Sequence, residues 1–385
     1  MALLSPASNE WARIANSTIP KFLKGMEEEI ARKRAVFALL KKRGNIKYNC
    51  SGDGIRWAVR YRRNTMLVND GEQPIETSRV NRLQNASLDF VGYAIAESYT
   101  KKEKVKNRSA EAIANAISDS MDHAKEDLED QFTEEFYVNV AGTGNSARAT
   151  GLESVFPATQ TITVSSGAAR TANAADPCFY PNATYAGLST VLGNYNGTWD
   201  TQSSIVNTWP YGRGKPEYDF WSPVIVNFES TAFDGTSTTF AGNCVRATRF
   251  GIEAVNGRNM GSGGQLDLVT YDRALFRVYK DSLDSKERAV ISSDNELRAL
   301  GIKDVLEQDG VSITSGEYGM PANVGYGLTM KAVQLWSWQP QIFNLDEGAP
   351  EWDLHTRSYK FVIDFLGQWR YKSPRMLLKM RSLAG

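Results

Sequence analysis

The chain has 385 residues, 42% of them hydrophobic and 11% aromatic, enough to bury a sizeable core in one large domain or two ordinary ones. Its 44 Lys and Arg balance 44 Asp and Glu, a neutrality that argues against a dedicated nucleic-acid or membrane binder and leaves only local electrostatics of interest. Cys50, Cys178 and Cys244 are far apart and odd in number, so they read as free thiols in a reducing compartment; no stretch approaches the roughly 18 apolar residues of a membrane span, and the N-terminal residues lack a signal-peptide profile.

Ile19, Phe22, Met26, Ile30, Phe37 and Leu40 fall at mostly helical spacing, with Ser17 and Thr18 as cap candidates and Pro20 in the first turn, which predicts an amphipathic helix ended by Gly44. From Ile55 the period changes to two. Ile55, Trp57, Val59 and Tyr61 lie on one face and Arg56, Ala58, Arg60 and Arg62 on the other, a half-exposed strand. Asn69-Asp70-Gly71 and Pro74 turn the chain before a second extended run through Leu83, Leu88, Phe90, Tyr93 and Ile95. Together these predict a long two-stranded arm that is marginal alone, and its arginines point to another molecule as its support.

Ile113, Ile117, Met121, Ala124, Leu128, Phe132 and Phe136 then recur every three or four residues, predicting a helix of more than six turns from Ser109. Nine carboxylates, Glu111, Asp119, Asp122, Glu126, Asp127, Glu129, Asp130, Glu134 and Glu135, stand against Lys125 alone and give its other face a net charge of −8. After Gly142-Thr-Gly144 and Gly151-Leu152 a loop-rich stretch runs to about Tyr185. A mixed α/β lobe follows, with a helix over Thr239 to Val255 stopped by Asn256-Gly257, a buried strand over Leu266 to Thr270 and a helix over Arg273 to Leu283. Short strands are expected around Lys331 to Trp338, Tyr359 to Phe365 and Gln368 to Tyr371.

The residues give catalysis little to work with. Two histidines, His123 and His355, and isolated cysteines form neither a triad nor a metal-ligand spacing. Gly142-Thr-Gly144-Asn-Ser-Ala147 formally matches a dinucleotide-binding G-x-G-x-x-A, yet it ends a long acidic helix, opens no βαβ unit and has no acidic residue about 20 positions on. A glycine turn is the better reading, and a nucleotide-dependent oxidoreductase rests on that match alone. Gly212-Arg-Gly-Lys215 lacks the spacing of a phosphate loop, and carboxylates along one helix face are too far apart for a dedicated cation cage. No cofactor or metal is expected.

The order of these elements resembles the major capsid proteins of tailed bacteriophages, the fold named for coliphage HK ninety-seven. The resemblance covers about Phe22 to Ala384 and implies an α+β fold: an N-terminal arm over residues 1–44, an extended two-stranded loop over 45–106, a long spine helix with the first part of a peripheral domain over 107–150, a mixed α/β axial lobe over 151–330, and a return to the peripheral β-sheet over 331–385. It further implies a non-enzymatic virion subunit that self-assembles in host bacterial cytoplasm into an icosahedral head of hexamers and pentamers around packaged double-stranded DNA, held without sequence specificity and without a membrane. A separate scaffold protein, or none, is implied because only some twenty residues precede the first helix, together with a portal protein and room for a decoration protein. Some relatives crosslink a loop lysine to a neighbour, whereas no lysine occurs here between Lys47 and Lys101. An encapsulin-like compartment shell is the alternative within the fold, disfavoured by the chain's length and elaborate lobe.

Charge adds one expectation. From Lys21 to Arg63 thirteen Lys and Arg stand against Glu27, Glu28, Glu29 and Asp53. Opposite charges on two segments of a neutral chain make Arg56, Arg60, Arg62 and Arg63 of one subunit candidates to meet Asp122, Glu126, Asp127 and Asp130 of the next. In the competing reading the basic arm faces the genome.

Overall fold

An unbroken apolar run from Ala35 to Leu40 has to find cover on every side, and the computed structural model buries all six residues. It describes residues 34–60, 71, 83–102, 123–124, 126–128, 130–156, 161–163, 169–171, 178–179, 184–190, 194–195, 198–199, 221–233, 238–259, 263–284, 297, 304–345 and 351–382. The run forms helix α1 (Ala35–Lys42), with Lys41 and Lys42 in the last turn, where the helix dipole favours cations. Gly44, at φ +65°, ends it: its N–H donates to Lys41 O at 3.2 Å and that of Asn45 to Leu40 O at 2.9 Å. The earlier part of the expected helix, from Ser17, lies outside the described residues.

Strand β1 (Ile46–Lys47) is followed by β2 (Gly54–Arg60) and β3 (Leu83–Asp89), an antiparallel pair in register from Gly54↔Asp89 to Arg60↔Leu83. The period-two reading holds: Ile55, Trp57 and Val59 are buried, whereas Arg56 and Ala58 are exposed. The arm's second strand is shorter than expected. It stops at Asp89, and after Phe90 the chain enters β4 (Val91–Thr100), which pairs along its whole length with β20 (Ser358–Tyr371). The reason lies in β4's own alternation, with Tyr93, Ile95 and Tyr99 turned inward and Gly92, Ala94, Ala96 and Ser98 exposed, a pattern suited to a half-covered sheet.

Helix α2 comprises the described helical residues 123–124, 126–128 and 130–137. Ala124, Leu128, Phe132 and Phe136, four apart, are all buried. They lie on a sheet in which β20 pairs with β4 on one side and, on the other, with β17 (Val333–Ser337), β18 (Asn344–Leu345) and β19 (Glu351–Asp353); β1 extends it beyond β17. Phe132 meets Phe365 at 5.0 Å and Trp369 at 5.5 Å between ring centroids, and Phe37 of α1 closes the cluster at 5.1 Å from Phe132 and 5.4 Å from Trp369. This aromatic layer fixes helix to sheet. The two strands expected between Tyr359 and Tyr371 are one strand of 14 residues.

Past a 3-10 turn (Leu152–Ser154) come short strands: β5 (Thr161–Thr163) paired with β6 (Ala169–Thr171), β7 (Cys178–Phe179), β8 (Thr184–Tyr185) paired with β9 (Leu188–Ser189), and β10 (Asn194–Tyr195) paired with β11 (Thr198–Trp199). A second sheet then takes β12 (Val224–Asn227), β13 (Leu268–Tyr271), β14 (Val305–Gln308), β15 (Val311–Ser315), β16 (Val324–Leu328) and β21 (Leu378–Arg381) in the order β14-β15-β13-β16-β21-β12-β7. Helix α3 (Phe240–Arg258) packs on β12 and β21 and against α4 (Arg273–Asp284). The expected helices at 239–255 and 273–283 and the buried strand before Thr270 thus all occur, α3 running past Asn256-Gly257. The C-terminal residues divide between the sheets: instead of rejoining β20's sheet, β21 inserts between β12 and β16, because all four of its residues are buried and need neighbours on both edges and both faces.

Candidate assembly interface

The arm begins with a seat on its own chain. Trp57 lies 6.5 Å from Tyr185 and 6.4 Å from Trp221, two rings that stack at 5.8 Å, while the backbone N–H of Ser87 donates to Ala186 O at 3.1 Å. The expectation that the whole arm rests on another molecule is therefore corrected for its root: the apolar face of β2 and β3 is covered within the subunit. Arg56 projects from the opposite, exposed face. Arg60 closes β2, and Arg62, Arg63 and the tip beyond them lie outside the described residues, apart from exposed Gly71.

Of the acidic candidates, Glu126 and Asp127 are exposed on α2 and Asp122 lies outside the described residues. Asp130 is occupied: Arg34, the extended residue that caps the start of α1 in the same chain, reaches it at 2.9 Å. Two further carboxylates do not form the open acidic face that spacing predicts. Arg148 lies 2.5 Å from Glu135 and 3.5 Å from Glu134, and Glu135 is buried, where it also accepts the Tyr93 hydroxyl at 2.6 Å. Burial, reinforced by that hydrogen bond, pushes the Tyr93 hydroxyl well above its usual range. Among the described residues of α2, the carboxylates that are exposed and in no ion pair are Glu126 and Asp127, whereas Asp130, Glu134 and Glu135 are each paired within the chain.

Nothing among the described residues draws these groups into a reaction centre. Residues 140–148 form turns and bends, followed up to Phe156 by a single 3-10 turn and no α-helix, in keeping with the glycine-turn reading, and Gly142 N–H donates to Asn139 O at 3.0 Å. His123 and His355 are exposed, Cys50 and Cys244 are in no disulfide, and no described group of three or more His, Cys, Asp or Glu is gathered as metal ligands would be.

No protein-family model and no curated protein sequence matches the chain. Among solved structures it is similar to the capsid asymmetric unit of cyanophage A-1(L), at 14% identity over 90% of this chain and 93% of that one, with a TM-score of 0.49. It is similar to the capsid of a native GTA particle at 10% identity over 90% of each chain, with a TM-score of 0.48. The capsid of Myoviridae phage XM1 is similar at 12% identity over 89% of this chain and 92% of that one, with a TM-score of 0.45.

Charge counting along the sequence misses the groups that fasten the arm and the two sheets. Arg370 stands between Trp57 and Trp336, its guanidinium carbon 4.7 Å and 5.3 Å from the ring centroids. Glu317 receives the N–H of Val36 at 3.0 Å at the start of α1. Lys379 reaches Glu153 from β21. Only the last leaves a signal in the sequence, a single charge inside the apolar run Met376-Leu-Leu-Lys-Met.

Proposed function

We propose that the chain is the structural major capsid protein of a tailed phage or a related particle, a subunit whose activity is self-association into a closed icosahedral shell. The observation that carries this reading is the build of the chain itself: a two-stranded arm leaves the body at Trp57 and Leu88, and the strand after it runs into a sheet crossed by α2. In that reading residues 1–44 are an N-terminal arm, 45–106 an extended loop, 107–150 the spine and first part of a peripheral domain, 151–330 an axial lobe and 331–385 the return, whose last strand β21 crosses into the lobe's sheet, and hexamers and pentamers form as the arm of each subunit reaches its neighbour. The neutral chain with a basic first segment fits a subunit that meets copies of itself, with packaged DNA inside and with scaffold, portal and decoration proteins as further partners.

Negative-stain microscopy of the purified chain, expressed alone and with its genomic neighbours, tests this. Closed shells of uniform size with nuclease-protected DNA are expected. Shells holding cargo protein in place of DNA would move the reading to a cellular compartment, and a chain that stays monomeric under both conditions would end it.

A further inference from the structure

Three alternate residues at the end of β20 and just past it face the root of the arm. Gln368 Nε2 donates to Asp89 O at the end of β3 at 2.8 Å, Arg370 lies against the Trp57 ring of β2, and Lys372 O accepts the Trp57 indole N–H at 3.2 Å. The Gln368 and Arg370 side chains, two residues apart, share one face of the strand, and Lys372 adds a backbone carbonyl just past its end. Gln368 is anchored in turn, its Oε1 accepting the N–H of Thr150 at 2.8 Å. Arg370 is held from its other side by Trp336 and by Gln334, whose Oε1 accepts from Arg370 Nη1 and from Trp336 Nε1, both at 3.3 Å. A planar cation between two indoles resists sliding and tilting in a way that a lysine ammonium does not.

We propose that Arg370, layered between Trp57 and Trp336, is the positioning residue that sets the direction in which the β2/β3 arm leaves the body. Among the described strands, both arm strands pair only with each other. A two-stranded ladder of this kind has little stiffness of its own, so its heading is decided at its root. The ladder runs on through three more pairs beyond Trp57, to Arg60↔Leu83, and the chain continues past it, so a small tilt at Trp57 is multiplied toward the tip. The consequence for shell closure rests on the capsid reading; the clasp itself does not.

Hydrogen exchange of the unassembled subunit separates the two. In Arg370→Met the amides of 54–60 and 83–89 are expected to exchange at least tenfold faster, with those of β13 and β16 unchanged, and Arg370→Lys is expected to fall between Met and the parent. Trp336→Leu, which removes the second indole and leaves the arginine, gives the same result by another route and covers the case in which the arginine variant does not fold. Parent-like arm exchange in both Arg370→Met and Trp336→Leu would overturn the proposal. Under the capsid reading, Arg370→Met also lowers the yield of closed shells at least tenfold and Arg370→Lys restores part of it. Loosened arms with a parent-like shell yield would overturn the positioning role. Loosened arms in a protein whose parent never forms shells would leave the clasp standing and remove the capsid reading instead.

Discussion

Lys379 Nζ lies 2.6 Å from each carboxylate oxygen of Glu153, with 4% of the lysine side chain and 13% of the glutamate exposed. The Tyr326 hydroxyl donates to the same carboxylate. The pair fastens the C-terminal strand β21 to the turn that follows α2, and so joins the second sheet to the helix lying on the first. Burial pushes the lysine pKa down, opposed by the glutamate's charge and hydrogen bond. Lys379→Met leaves a buried carboxylate without its cation and should cost about 3–5 kcal/mol. Adding Glu153→Gln should recover most of this, since the amide oxygen still accepts from Tyr326. Denaturant midpoints at constant slope read the difference; a single variant as stable as the parent would show that the pair contributes nothing.

Gly151 is needed for space, with an ordinary φ of −77°. A Cβ there would meet Val138 N and Val138 O at 2.5 Å and Glu135 O at 2.6 Å, all backbone at the end of α2. None of these atoms can swing aside, so Gly151→Ala is expected to lose about 1–3 kcal/mol. Gly257→Ala supplies the contrast: it lies within α3 with nothing within 4 Å of the added methyl, and should gain up to about 1 kcal/mol. Equal midpoints for the two variants would refute the steric account.

Burial raises the Glu317 carboxyl to about 7, against the lowering effects of the Val36 N–H, of Arg34 and of the Ala35 N–H. A carboxyl that binds its proton more tightly folded than unfolded stabilises the fold below the unfolded pKa of 4.5 and loses that contribution as pH climbs to about 7. Across that window each pH unit should remove about 1.4 kcal/mol. In Glu317→Gln this slope disappears while the amide oxygen still accepts from Val36. The readout is the stability of parent and variant at pH 4.5, 5.5 and 7, and parallel curves would contradict the assignment.

Periodicity made legible whatever one face of one element decides. The buried residues of α2, the alternation of β2 and the spans of α3 and α4 follow from spacing alone. What spacing cannot carry is which distant element covers a face. The gap expected between strands ending at Phe365 and starting at Gln368 is closed in the structure: Gly367 sits inside β20, where an added Cβ would lie 2.5 Å from Trp336 O, and marks a close approach of strands. Glu135 reads as one more solvated carboxylate until Arg148, thirteen residues on, and Tyr93 close over it. Charge counting therefore located the acidic helix but overstated how much of it faces outward.

That correction reshapes the test of how neighbours are held. Reversing Asp130 would break its pair with Arg34 inside the subunit, so the acidic side is best altered at Glu126 and Asp127, both exposed. If the arm of one subunit lies on α2 of the next, changing Arg60, Arg62 and Arg63 to Glu should lower the yield of empty shells at least tenfold. Adding Glu126→Lys and Asp127→Lys in the same chain should restore part of it, because each arm then again meets opposite charge. Exposed ion pairs are worth about 0–1 kcal/mol each, so the contact acts through number and register, and its loss should be mimicked in the parent by raising ionic strength until the Debye length falls to about 3 Å. Shells that assemble normally with the arginines reversed, and fail only to retain DNA, would instead place the basic arm against the genome, where phosphate neutralisation gives the same arginines a different use.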